Sequence, residues 1–187
     1  NCALVEDGML VQVAAGVNFN EPIQALYVNT VSPGARLNSA RLIISASANS
    51  EVTIIESHAS VEGSTNATNA LTEINAQTGA NVSHYRIQID NALCHHIGNV
   101  YVAVANDASV NTYSFAFGGA ITRIDVNADL IGRGAHVTMN GLFMVNDGHH
   151  IDHHTRVRHR VGDTTSSENY KGIADGNGRG VFNGKIL

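Results

Sequence analysis

The chain contains no tryptophan, and phenylalanine and tyrosine together make up only 5% of its 187 residues. A core built as one thick globule draws heavily on large aromatics, whereas thin repeated layers of Val, Ile and Ala do not need them. Cysteine and proline number two each. So few cysteines cannot staple a domain this long, which excludes a disulfide-rich secreted scaffold and points to a reducing compartment. Cys2 and Cys94 could pair in principle, but nothing in the sequence requires it. Lysine and arginine total 11 against 16 acidic residues, a formal net charge of -5, and no basic stripe is visible, so no nucleic-acid partner is expected. There is no run of about 18 apolar residues, so no membrane helix is expected. The opening stretch NCALVEDGMLVQV also lacks the basic-then-apolar layout of a secretory signal.

What the chain does have is short extended runs separated by Gly/Asn/Asp turns, with no helical period anywhere. Leu4 to Val17 reads as two strands around a turn at Glu6-Asp7-Gly8, and Phe19 to Thr30 as another extended piece. Pairs of β-rich runs follow: Leu42 to Ala46 with Val52 to Glu56, Leu71 to Asn75 with Tyr85 to Ile89, Val100 to Ala105 with Tyr113 to Phe117, and Ile121 to Val126 with Val137 to Val145. A valine just after a turn recurs at Val52, Val82, Val110 and Val137, at gaps of 30, 28 and 27 residues, each gap holding two or three strands. A quasi-regular period of this size without helices predicts an all-β, coil-stacking β-solenoid, in which each rung buries its inner face only by lying on its neighbours. A β-sandwich would alternate too, but it would not repeat its turn chemistry at near-constant intervals. One domain is expected over residues 1-187, as a fragment of a longer protein, because neither end carries a recognisable cap for its strand edges.

Five histidines crowd into His149 to His159, HHIDHHTRVRH. In a strand His150, Asp152 and His154 share one face, while His149, His153 and His159 share the other with Ile151, Val157 and Val161. Two imidazoles and a carboxylate at this spacing could bind a divalent metal. Equally, they could be stacked polar side chains bonded to their rung neighbours. Cys94, followed by His95 and His96, is the other candidate, as a low-pKa nucleophile, as a soft ligand for iron or zinc, or as a small buried apolar residue. A single cysteine cannot hold a metal cluster alone, so further ligands would come from a partner. Arg123 with Asp125, and Arg156, Arg158 and Arg160, are expected to form charge-assisted pairs across rungs. Lys171 and Lys185 read as ordinary surface lysines. Neither a GxxxxGK[ST] phosphate loop nor a GxSxG elbow is present.

Residues Asp152, His154, Thr155 and His159, then Tyr170-Lys171-Gly172-Ile173, then Arg179-Gly180-Val181-Phe182-Asn183-Gly184-Lys185-Ile186 resemble the shared core of the SufB/SufD family of iron-sulfur cluster assembly proteins. Upstream, Leu71 to Ile74, Gly79 to Tyr85, Gly118-Gly119 with Thr122-Arg123, and Gly134 to Leu142 are similar to the same pattern. KGI followed by a short loop and RGVFNGKI is most like the SufD branch. The resemblance implies a right-handed parallel β-helix. It also implies a non-enzymatic part of the SUF scaffold, the SufBCD complex, that pairs with a SufB-type β-helix protein. A SufC-type ATPase would bind through C-terminal helices that this sequence lacks, and a homodimer is a further option. The cluster would sit transiently at the complex interface, with no cofactor held tightly by this chain alone, in the cytoplasm or, in a photosynthetic eukaryote, the plastid.

A β-helical carbohydrate-active enzyme or adhesin is the competing expectation. Such proteins pair carboxylates on one face and line a groove with aromatics. Here Asp147, Asp152 and Asp163 are scattered and tryptophan is absent.

Overall fold

The computed structural model describes residues 7–34 and 36–187. Fourteen strands and no helix make up these residues. They are β1 (Asp7–Val13), β2 (Asn18–Asn29), β3 (Leu37–Asn38), β4 (Ala40–Ala46), β5 (Glu51–Ser60), β6 (Ala67–Ala76), β7 (Asn81–Ile89), β8 (His95–Val104), β9 (Ser109–Ala116), β10 (Ile121–Leu130), β11 (His136–Val145), β12 (His150–His159), β13 (Thr165–Ala174) and β14 (Arg179–Ile186). Alternate strands go to alternate sheets. One sheet runs β1-β4-β6-β8-β10-β12-β14, with β3 beside β6, and the other runs β2-β5-β7-β9-β11-β13. Every pairing is parallel. The chain is therefore a single parallel β-solenoid with two strands per turn, as the sequence period predicts.

The recurring valines form one physical column. Val52 lies opposite Val82, Val82 opposite Val110, and Val110 opposite Val137, each at most 1% exposed. From this column the alternation of strands fixes what points inward, and Ile44, Ile74, Val102, Ala128 and Val157 form a matching column on the other sheet. Small and β-branched side chains fill the narrow space between the sheets, which is why the chain needs so few aromatics.

One kind of turn is stacked just as regularly. Gly16, Asn49, Gly79, Asp107, Gly134 and Asp163 all have positive φ, between 54° and 72°. Each of the first five donates its backbone N–H to the following rung: Gly16 to Ala48, Asn49 to Thr78, Gly79 to Asn106, Asp107 to Arg133 and Gly134 to Asp163. Glycine alternates with Asn or Asp because a Cβ on Gly79 would strike the Asn49 side chain, and one on Gly134 would strike Asp107. Asn and Asp are the non-glycine residues that best tolerate this left-handed geometry.

One local expectation is corrected. Asp7-Gly8 is not a turn, since both residues lie in β1 and pair with Ala40 and Arg41, while Glu6 and Leu4 lie outside the described residues. Parallel pairing along the whole of β4 outweighs the local turn propensity. In β2 the register slips between Phe19 and Ile23, around Pro22, whose missing N–H cannot join the ladder.

Candidate functional site: a paired-ion interior between two unlike faces

Inward parity does not deliver only hydrocarbon. Glu56 and His58 follow Val52 and Ile54 on the inner face of β5, and His84, Arg86 and Gln88 follow Val82 on β7. Across the lumen, β6 contributes Thr68 and Thr72, and β8 contributes His96. Gly98 on β8 leaves the space that the Arg86 guanidinium fills, where a Cβ would stand 2.5 Å from its Nη2.

Glu56 is 1% exposed and has four donors: Arg86 Nη1, His58 Nε2 at 2.6 Å, His84 Nε2 at 2.9 Å and Thr72 Oγ1 at 2.7 Å. Burial by itself would raise its carboxyl. The Arg86 charge and the hydrogen bonds from His58 and His84 overcome that and hold it well below the usual carboxylate range. Arg86 Nη2 donates to His96 Nε2 at 2.6 Å, and His96 Nδ1 donates to Asp90 Oδ2 at 2.9 Å. This fixes one neutral tautomer. Burial, opposed by the bond to Asp90 and reinforced by the Arg86 charge, pushes His96 down to about 4. Burial and the same Arg86 also lower His58. Asp90, which burial would raise, is held below its ordinary value by His96 and by Gln88 Nε2 at 2.9 Å. Asn29 links Asp90, at 3.4 Å, to Thr68, at 2.8 Å.

The network borders an open recess. His58 stacks on Tyr27 with ring centroids 4.9 Å apart, and both line this recess of about 430 Å³ with Asn29, Asn66 and Thr68. Further along the lumen His153, 0% exposed, packs on Phe143 and bonds Ser114 Oγ at 3.0 Å. Burial and the Arg86 charge bring it to about 4.

The outer walls are unlike each other. On the β2–β13 sheet, Leu26, Ile87, Phe115 and Leu142 point outward, Tyr85 stacks on Tyr113 at 4.7 Å, and Val28, Ile89, Phe117, Met144 and Ile173 are exposed. Lys171, opposite Leu142, brings a charge to this wall. The other wall carries ion pairs: Arg41 with Glu73, Arg123 with Asp125 and Asp152, and Asp129 with Arg158 and Arg160.

The four residues singled out as ligands separate. His150, Asp152 and His154 do share the outer face of β12, with Ile151, His153 and Val157 inward. His149 falls in the turn before the strand and Val161 lies beyond it, so neither joins the inner row. Asp152 is held by Arg123 Nη1 at 3.0 Å, and His154 Nε2 is 3.0 Å from Asp152 Oδ1 without hydrogen-bond geometry. Cys94 is fully buried, its Sγ 3.3 Å from the Ser64 carbonyl oxygen and 3.5 Å from Ser60 Oγ. Among the described residues no group of three or more His, Cys, Asp or Glu is arranged to hold a metal ion. Sequence reasoning missed Glu56, His58, His84, Arg86 and Asp90. The signal for all but Asp90, which lies in the turn after β7, was their even spacing from Val52 and Val82.

Such a molecule is a parallel β-solenoid domain with a paired-ion interior, one apolar wall and one ionic wall. The chain belongs to the family of the SufBD core domain of SUF system FeS cluster assembly, whose model matches residues 28–187. It is 28% identical to the iron-sulfur cluster assembly protein SufD of Escherichia coli (strain K12) over 94% of this chain and 42% of that protein. An iron-sulfur cluster assembly SufBD family protein of Synechocystis is 24% identical over 100% of this chain and 43% of its own length. The chain thus spans less than half the length of these curated relatives.

Proposed function

We propose that this chain is the core of a SufD-type subunit of an iron-sulfur cluster assembly scaffold, and that it presents its apolar wall to a SufB-type β-solenoid. The observation that carries this reading is that wall. Ile89, Met144 and Ile173 are exposed on strands spaced at the regular sheet repeat of about 4.8 Å, with Phe117 exposed just past the end of β9, an apolar surface that water disfavours and a second solenoid can cover. The role is a non-enzymatic one. Glu56, His58, His84 and His96, the side chains best suited to acid–base work, are buried and already paired. The acids that a carbohydrate-active enzyme would need are engaged as well: Asp152 by Arg123, Asp163 by Arg133, and Asp147 by the Asn177 N–H at 2.6 Å.

With Cys94 enclosed, a cluster would be held transiently against the partner's ligands. A SufC-type ATPase would engage the parent protein elsewhere, and the complex would work in the cytoplasm. Among the described residues no helix is long and apolar enough to cross a membrane. Co-purification of the full-length parent with a SufB-type protein tests the reading. Phe115→Glu with Met144→Glu should abolish that association and leave the fold and SufC-type binding intact. Undiminished association would refute the apolar wall as the docking face, and self-association lost in its place would assign that wall to a homodimer.

A further inference from the structure

On the ionic wall, Arg41, Arg123, Arg158 and Arg160 each have a carboxylate partner. Arg156 and Lys185 break that rule. They stand directly opposite each other in the β12–β14 ladder, in an outward column that continues through Asn127 and Tyr101. Like charges opposed on neighbouring strands repel. Neither residue has an ion-pair or hydrogen-bond partner among the described residues, and the Arg156 Nε is shut off from solvent without one. The pair lines a groove of about 370 Å³ with Tyr101, Asn127, His154 and Asn183. Asp125 also borders the groove, but both its oxygens are taken by Arg123, Nε and Nη2 each at 3.0 Å.

We propose that this groove binds a phosphate-bearing small molecule through Arg156 and Lys185. Two cationic side chains on neighbouring strands about 4.8 Å apart, one of them a partly dehydrated guanidinium, match an anion of charge two better than a single carboxylate. The planar fork of Arg156 suits two oxygens of one tetrahedral group, and Lys185 adds a point charge beside it. Asn127, Asn183 and Tyr101 offer neutral donors to the remaining oxygens. The ligand's charge also relieves the repulsion between the two side chains, so occupancy stabilises β14 against β12. This assignment does not rest on the SufD-type reading, since the apolar wall lies on the opposite sheet.

Titration of the full chain with inorganic pyrophosphate at constant ionic strength, followed by calorimetry and by the thermal midpoint, tests it. The expected result is saturable binding that Arg156→Gln and Lys185→Gln each weaken by about tenfold or more, with Arg160→Gln as an unchanged control. All three positions point outward, so circular dichroism before titration should show the same fold. Equal binding by Arg156→Gln and the parent, a non-saturable response, or tighter binding of a glutamate-rich peptide than of pyrophosphate would overturn the proposal.

Discussion

Glu56 and Arg86 stand directly opposite each other on successive rungs, both pointing into the lumen, and their carboxylate and guanidinium touch at 1% exposure each. Removing two charges from water costs several kcal/mol per ion, roughly, and mutual attraction offsets this only where the remaining hydrogen-bonding positions are also filled. Here His58, His84 and Thr72 complete the carboxylate, and His96 takes the second nitrogen of the arginine. Only the Arg86 Nε lacks a partner. The lumen is therefore specified by an ion pair coordinated at every position but that one as much as by hydrocarbon.

Breaking that pair from one side should be costly. Arg86→Met leaves a buried, uncompensated carboxylate, and denaturant unfolding is expected to show a loss of about 3–5 kcal/mol. Glu56→Leu combined with Arg86→Met removes both charges and should lose much less than the sum of the single variants. Additive losses would mean that the two side chains do not act as a pair.

Stability should fall as the medium is acidified below neutrality. His96 and His153 lie near 4 in the folded chain against an ordinary value of 6.5, and His58 is lowered too. Between those values the unfolded chain binds protons that the folded chain refuses, so stability is complete above about 6.5 and declines toward 4, by up to about 3 kcal/mol for each histidine. Glu56 and Asp90, both depressed, act in the same direction at lower pH. Glu168, raised by burial, opposes them as a single half-buried group. Unfolding midpoints at pH 7.5 and pH 5 check this, and equal midpoints would contradict it.

Gly98→Ala places a methyl group against the Arg86 guanidinium. Overpacking of this kind costs about 1–3 kcal/mol. The penalty should shrink in an Arg86→Met background, which distinguishes a clash with that side chain from a general effect of the strand position.

In the stacked turns, Gly79→Ala combines a positive φ of 69° with a collision against Asn49. Thermal unfolding should show a loss of about 1–3 kcal/mol. Asn49→Gly in the same chain should restore part of it by removing the obstructing side chain, while the φ penalty remains.

Much of this architecture was legible in the residues. The valines at 52, 82, 110 and 137 marked one column, and the turns beside them marked where each rung ends. That His150, Asp152 and His154 share one face followed from strand alternation, and the cross-rung pairing of Arg123, Arg158 and Arg160 was expected from their charge. Arg156 was expected to pair in the same way and does not, because the outward positions beside it on neighbouring strands carry Asn127 and Lys185 and not an acid. Asp7-Gly8 looked like a turn because the strand that captures it lies more than thirty residues away.

The order of residues by itself determined the two-residue alternation within each strand and the turn chemistry between strands, since both act over a few bonds. It therefore settled an all-β coil with a hydrocarbon-lined lumen. Which inward side chains meet was decided only by the tertiary structure. Glu56 reaches Arg86, and Arg86 reaches His96, because every turn of the coil closes at a length that aligns its strands with the rung before, and that length varies between 27 and 30 residues along the valine column. A shift of one residue in β5, β7 or β8 would turn the inward polar side chains of that strand outward.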